Sequence, residues 1–203
     1  MKRVEKIAVF GGTFNPIHNG HLNLVKSFAK ILRADRILMI PTGMPPHKEA
    51  PELAPAFDRL AMCRLAAACC SRMKVSDIEI RRGGVSYTAV TLRQIKAKYS
   101  DSEIYLITGE DMFTTLADWH DPQTIFSLAT VCAAPRNKNG IASLVRCAEK
   151  LRKLGARTIV EPLEYLPISS TMVRKAVREG KDISGLVPVP VAAYIHEHNL
   201  YLR

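Results

Sequence analysis

Two histidines three residues apart, His18 and His21, carry the strongest chemical signal in this chain of 203 residues. They stand in the run Gly11-Gly12-Thr13-Phe14-Asn15-Pro16-Ile17-His18-Asn19-Gly20-His21-Leu22. Two imidazoles aimed into one small volume can stabilise charge that builds on the non-bridging oxygens of a phosphate during its transfer. Gly11 and Gly12 let the backbone approach such an anion with no Cβ in the way. A second segment, Ile168-Ser169-Ser170-Thr171-Met172-Val173-Arg174, offers matching chemistry. Ser169 or Ser170 reads as the cap of a following helix, whose first amides and hydroxyls suit phosphate oxygens. Arg174, one turn inside, can return its guanidinium to the same anion. Three alternatives stand beside this reading. The histidines can be ordinary surface or core residues, or zinc ligands together with His47, and the serines can be a cap and nothing more. No Asp, Glu or Cys completes a familiar zinc spacing.

Positioning these groups requires a strand, a turn and a helix. Ile7-Ala8-Val9-Phe10 reads as a buried strand, and Leu22, Val25, Phe28 and Ala29 follow helical spacing. The turn therefore joins the carboxyl end of a strand to the amino end of a helix, where ligands bind in open α/β sheets. Helix-start amides and the macrodipole make that place an anion site. Further apolar runs at 36–41, 75–80, 103–108, 130–134 and 157–160 predict strands. Helical patterns fill 21–33, 57–71, 87–99, 111–118 with 122–128, and 140–154. The helix from 57 presents Phe57, Leu60, Ala61, Leu65 and Ala68 on one face. Strands alternating with helices predict an α/β fold with a doubly wound parallel sheet. Residues 1–203 are expected to form a single domain, with a small helical cap over about 180–203 in which Val191, Tyr194, Ile195 and His198 share a face. A loop with five prolines over 41–56 interrupts the alternation, and loops of that length are usually functional or disordered.

Bulk composition excludes several classes. Hydrophobic content of 47% and charged content of 24% are ordinary for a globular protein. No apolar run approaches the roughly 20 residues of a membrane span, and the short run after Lys2-Arg3 suits a strand better than a signal peptide. The five cysteines form no C-x-x-C pair, and Cys63, Cys69 and Cys70, on an Ala-rich helical stretch, are expected to be small core residues in a reducing compartment, hence a cytoplasmic protein. Net charge is +10, and residues 136–178 hold ten Lys/Arg against three Glu. That balance suits anionic ligands without choosing among nucleotide, phosphate and nucleic acid. The stripe Arg146, Lys150, Lys153 and Arg157 is expected to be a solvated face. Its functional alternatives are steering of anionic substrates or a contact between subunits of a homo-oligomer.

Taken together, the two motifs resemble those of the nucleotidylyltransferase superfamily, and more closely the bacterial nicotinate mononucleotide adenylyltransferases. The closer likeness rests on Pro45-Pro46-His47-Lys48, Ser86-Tyr87-Thr88-Ala89-Val90-Thr91-Leu92, Thr108-Gly109-Glu110-Asp111, Asp118-Trp119-His120, and Leu186-Val187-Pro188-Val189-Pro190-Val191 running to Tyr201. It spans essentially the whole chain, in order. It implies a Rossmann-like nucleotidylyltransferase fold and transfer of AMP from ATP to nicotinate mononucleotide, with Mg2+, giving nicotinate adenine dinucleotide and pyrophosphate. His18, His21 and Lys48 are the catalytic residues so implied. Gly11, Gly12, Thr13, Phe14, Gly20, Gly109, Asp111, Ile168, Ser169, Ser170, Thr171 and Arg174 are implied to bind ATP. Asn15, His47, Lys48, Tyr87, Thr88, Trp119 and His120 are implied to bind the mononucleotide, with Trp119 stacked on the pyridine ring. No protein metal site is implied. On the residues alone, Asp111 reads equally as a helix N-terminal carboxylate, while a single Trp such as Trp119 is more often core or rim packing, and Tyr87 also reads as core.

Two positions depart from the pattern. Asn15 stands where the family more often has Asp, and His120 where an aromatic such as Tyr is common. The expected partners are the small molecules ATP and nicotinate mononucleotide, with neither nucleic acid nor membrane. The competing class is a basic nucleic-acid-binding domain. Against it, aromatic content is only 6% and no RNA- or DNA-binding motif is present.

Overall fold

In the middle of the sheet, uninterrupted apolar runs become strands buried on both faces, as parallel sheets require. The computed structural model describes residues 3–45, 52–136, 140–164 and 166–202. Its strands are β1 (Lys6–Gly12), β2 (Arg36–Pro41), β3 (Met73–Val75), β4 (Glu103–Gly109), β5 (Ala129–Ala134) and β6 (Arg157–Val160). They form one parallel sheet in the order β3-β2-β1-β4-β5-β6. In β1, Ile7 to Phe10 are all buried, and Ile7 to Phe10 run in register with Ile104 to Ile107 of β4. Chain order reverses between β1 and β4. That is the topological switch point, where the ends of neighbouring strands open a crevice.

The helices are α1 (Asn19–Ile31), α2 (Ala56–Ala67), α3 (Ile78–Arg82), α4 (Thr88–Lys98), α5 (Glu110–Thr114), α6 (Pro122–Leu128), α7 (Ile141–Lys153), α8 (Ser170–Arg178) and α9 (Val189–Glu197). Leu22, Val25, Phe28 and Ala29 of α1 are buried, as their spacing predicts. Among the described residues, no helix is long and apolar enough to cross a membrane.

The chain divides into two compact units. The first comprises Met1–Gly11, Leu24–Leu38 and Tyr87–Tyr165. In it α7 packs on β5 and β6, α5 packs on β4, β5 and α7, and α4 packs on α6. The second comprises Gly12–Asn23, Met39–Ser86 and Leu166–Arg203. In it α2 packs on β3 and α9, burying Leu60, Met62, Val191 and Ile195.

Three expectations need correction. The run 75–80 is not one strand, because β3 ends at Val75 and α3 begins at Ile78. Alternating Ile78-Glu79-Ile80-Arg81 imitates a strand, but the Asp77 carboxylate pairs with Arg81 one helical turn on, at 2.9 Å. The inner face of α2 is Arg59, Leu60, Met62, Cys63, Ala66 and Ala67, and Phe57 stands 74% exposed. Alanines on every side of that helix blur its periodicity. Finally, Cys63 is a core residue while Cys69 is exposed and Cys70 half-buried, since the helix has ended before them.

Arg59 is the unexpected member of that inner face, 1% exposed. Its guanidinium donates to four backbone carbonyls: Ala54 at 3.0 Å, Thr13 at 2.8 Å, Thr42 at 2.6 Å and Gly43 at 3.0 Å. It thereby ties the residue after β1 to the residues after β2. Replacing it with methionine strands buried carbonyls whose lost bonds cost about 1–3 kcal/mol each. Arg59→Met should therefore lose at least about 3 kcal/mol of unfolding free energy, read from urea midpoints. A loss under about 1 kcal/mol would show that the carbonyls find other partners.

Candidate functional site

Within the second unit the chain leaves β1 through Thr13, passes a cis Asn15–Pro16 bond and enters α1 at Asn19. Phe14 is buried with φ of 47°, a conformation few non-glycine residues adopt, and its ring comes back over Gly12. A Cβ on Gly12 would lie 3.0 Å from that ring, so a larger residue would push the ring aside by a few tenths of an ångström. The same ring stands edge-on to His21, with centroids 5.1 Å apart. Gly20 is similarly tight: a Cβ there would meet His18 Nδ1 at 3.1 Å and the Ile168 carbonyl at 3.3 Å.

His18 and His21 stack, with ring centroids 3.6 Å apart and planes 22° from parallel. The His18 amide donates to Nδ1 of His21, and the His21 amide donates to Nδ1 of His18, both at 3.3 Å. An imidazole nitrogen accepts a hydrogen bond only when it carries no proton. Both rings are therefore held with Nδ1 as acceptor and the N–H on Nε2. The turn presents two Nε2–H donors from adjacent rings at the start of a helix.

The serine segment reaches the same place. Ser169 caps α8, its Oγ accepting from the Met172 amide at 3.2 Å. Ser170 donates its hydroxyl to the Pro16 carbonyl at 2.9 Å. Arg174, mostly buried, donates to the Asn15 carbonyl at 2.9 Å and to Thr171 Oγ1 at 3.4 Å. With the Gly20–Ile168 approach, these contacts bring the first turn of α8 beside the first turn of α1. The Arg174 Nε also pairs with Glu52 at 2.9 Å, and Arg178 pairs with the same carboxylate. Hydrogen bonds from the two arginines hold the Glu52 carboxyl below its usual range.

Asn15 is buried, and its side chain is committed to the protein. Its Nδ2 donates to the Glu52 carbonyl at 2.9 Å, while Oδ1 accepts from the Ala54 amide at 3.0 Å and the Tyr201 hydroxyl at 2.9 Å. A carboxylate at position 15 has no donor for the Glu52 carbonyl, which gives the departure from Asp a local reason. His47 and Lys48 lie outside the described residues.

The first unit holds the other predicted residues. Gly11 is exposed near the end of β1. Gly109 precedes α5 with φ of −72°, and a Cβ there would come only within 4.0 Å of Arg136. The fold itself does not require glycine at 109. Asp111 lies in the first turn of α5 and pairs with Arg136 at 2.7 Å, and Glu110 accepts from the Arg136 amide at 2.7 Å. Trp119 is half-buried, its Nε1 donating to Thr115 Oγ1 at 3.3 Å. Tyr87 and His120 meet ring to ring at 4.2 Å, and Thr88 opens α4.

Arg59, Glu52, Arg178 and Arg136 escape a reading of sequence motifs. Only Arg59 leaves a trace there, as a lone charge among apolar neighbours on one helical face. Among the described residues, no group of three or more His, Cys, Asp or Glu could hold a metal ion. Along the expected basic stripe, Arg146, Lys150 and Lys153 are exposed on α7. Arg157, in β6, donates to Thr130 Oγ1 and the Ser127 carbonyl.

Comparison with known proteins places the chain in a family. The Cytidylyltransferase-like family model matches residues 9–176. A nicotinate-nucleotide adenylyltransferase of Dehalococcoides mccartyi (strain CBDB1) is 39% identical over 199 residues, covering 98% of each chain. One from Synechococcus sp. (strain JA-3-3Ab) is 39% identical over 198 residues, covering 98% of this chain and 95% of that protein. Among solved structures, the Plasmodium falciparum nicotinic acid mononucleotide adenylyltransferase complexed with NaAD superposes with a TM-score of 0.79 at 18% identity, covering 97% of each chain. That likeness speaks for the fold. The full-length sequence matches and the family model together show that this chain belongs to the Cytidylyltransferase-like family and, within it, to the nicotinate-nucleotide adenylyltransferases.

Proposed function

We propose that the chain transfers AMP from the Mg2+ complex of ATP to nicotinate mononucleotide, releasing nicotinate adenine dinucleotide and pyrophosphate. The paired Nε2–H donors of His18 and His21 beside the α8 N-terminus carry this reading. The nucleophile is the mononucleotide's own phosphate, whose second ionisation lies at about pH 6, so no side-chain nucleophile or strong base is needed. Its oxygen bonds to the α-phosphorus of ATP, and the bond from that phosphorus to the bridging oxygen breaks. Pyrophosphate leaves with the electron pair. Catalysis is then alignment and charge stabilisation. Mg2+ enters with ATP as part of the substrate.

His18 and His21 donate to the triphosphate, where charge grows as pyrophosphate departs. The first amides of α8 at Ser170 and Thr171, with Arg174, hold phosphate oxygens. Ser169 serves as cap and Ser170 as a tie to Pro16, so their hydroxyls shape the site. Gly12, Thr13, Phe14, Gly20 and Ile168 set the backbone there, and Asn15 supports the turn. By resemblance, Lys48 is assigned to the phosphates, and His47 and Lys48 to the mononucleotide. In the first unit, the same resemblance gives Gly11, Gly109 and Asp111 to ATP, and a glycine at 109 that the fold does not need suits close approach by a ligand. It gives Trp119 to the pyridine ring, with Tyr87, Thr88 and His120 beside it. All five cysteines are free, which suits a reducing cytoplasm.

Following pyrophosphate release from ATP-Mg2+ with nicotinate mononucleotide tests the assignment, and no release refutes it. His18→Ala and His21→Ala should each lower kcat about 10²–10³-fold, the usual cost of losing one such donor. Rates within threefold of wild type for both would sink the phosphate role. Trp119→Ala should raise KM for the mononucleotide roughly tenfold, in line with base–aromatic stacking, and leave KM for ATP nearly unchanged. Equal rises for the two substrates would refute stacking.

A further inference from the structure

We propose that Tyr201 is a positioning residue for the histidine turn, acting through Asn15; this rests on the adenylyl-transfer reading of that turn. The Tyr201 hydroxyl donates to Asn15 Oδ1 at 2.9 Å, and the Ala54 amide fills the other acceptor position of the same oxygen at 3.0 Å. Nδ2 of Asn15 is bound to the Glu52 carbonyl, and its main-chain carbonyl to Arg174. Asn15 lies three residues before His18, so its orientation fixes the direction in which the turn enters α1.

The segment after α9 is bent to make this contact. Asn199 and Tyr201 both adopt left-handed backbone, with φ of 51° and 66°, and such residues persist where surrounding contacts over-determine them. Burial pushes the Tyr201 phenol well above its ordinary range, although Arg174 and Arg59 pull the other way, so it remains a donor at working pH. No contact with substrate is assigned to its ring. The hydroxyl instead completes the hydrogen-bonding of a buried amide, whose release would let the Thr13–Pro16 bend relax and both imidazoles shift. A neutral hydrogen bond of this kind is worth about 1 kcal/mol, so its loss should slow the chemical step about three- to tenfold.

The test compares Tyr201→Phe, Asn15→Ala and the double variant with wild type. Steady-state rates of pyrophosphate release are measured alongside amide hydrogen exchange. Tyr201→Phe keeps the ring and its packing, and should lower kcat by that factor while each KM changes less than about twofold. In the Asn15→Ala background the same substitution should have no further effect. The His18 and His21 amides, each donated to the other ring, should exchange faster in Tyr201→Phe, while that of Phe28 in the body of α1 stays as in wild type. A wild-type kcat, a full second loss in the Asn15→Ala background, or unchanged exchange at both histidine amides would each overturn the proposal. Should the wild-type protein release no pyrophosphate, the adenylyl-transfer reading fails alone, because the exchange rates still report whether Tyr201 holds the turn.

Discussion

The reciprocal pair of hydrogen bonds between His18 and His21 is the constraint on which the site depends. Each backbone amide is satisfied by the neighbouring ring, and each ring is fixed in one tautomer by the neighbouring amide. Stacked rings 3.6 Å apart also disfavour two imidazolium charges, which would repel and forfeit both bonds. In the proposed reaction the pair would therefore meet the phosphates as oriented dipoles in place of mobile cations. Dipoles fixed before the ligand arrives need no reorganisation as charge develops.

Around that pair the second unit spends most of its buried polar groups on backbone. Arg59 satisfies four carbonyls, and Asn15 joins Glu52, Ala54 and Tyr201 to the turn. A buried cation is expensive unless its donors are filled, and here carbonyls from three chain segments fill them. The glycines finish the arrangement. Gly12 admits the Phe14 ring, and Gly20 admits the His18 ring and the Ile168 carbonyl.

The strands and long helices were legible because buried parallel strands are continuous apolar runs, and α1 and α7 keep an apolar stripe. The His-x-Gly-His turn and the Ser-Ser-Thr segment stand out in sequence as candidates for anion chemistry, although the serines read equally as a helix cap, and Ser169 does cap α8. Their convergence was not legible: some 150 residues separate them, and contacts such as the Ser170–Pro16 and Arg174–Asn15 bonds bring them together. Arg59 and Tyr201 went unread for a related reason. Their partners are backbone carbonyls and an amide oxygen, and such contacts leave no pattern in sequence. The short α3 was misread because alternation over four residues serves a strand and a one-turn helix equally, until the Asp77–Arg81 pair decides.

Nitrogen-15 spectra of histidine-labelled protein, recorded with and without a non-hydrolysable ATP analogue and Mg2+, examine the two rings directly. The account predicts that His18 and His21 both carry their proton on Nε2 before ligand is added, and that both Nε2–H signals move on binding while the Nδ1 signals stay those of an acceptor. Rings found protonated on Nδ1, or Nε2–H signals indifferent to the nucleotide, would contradict it.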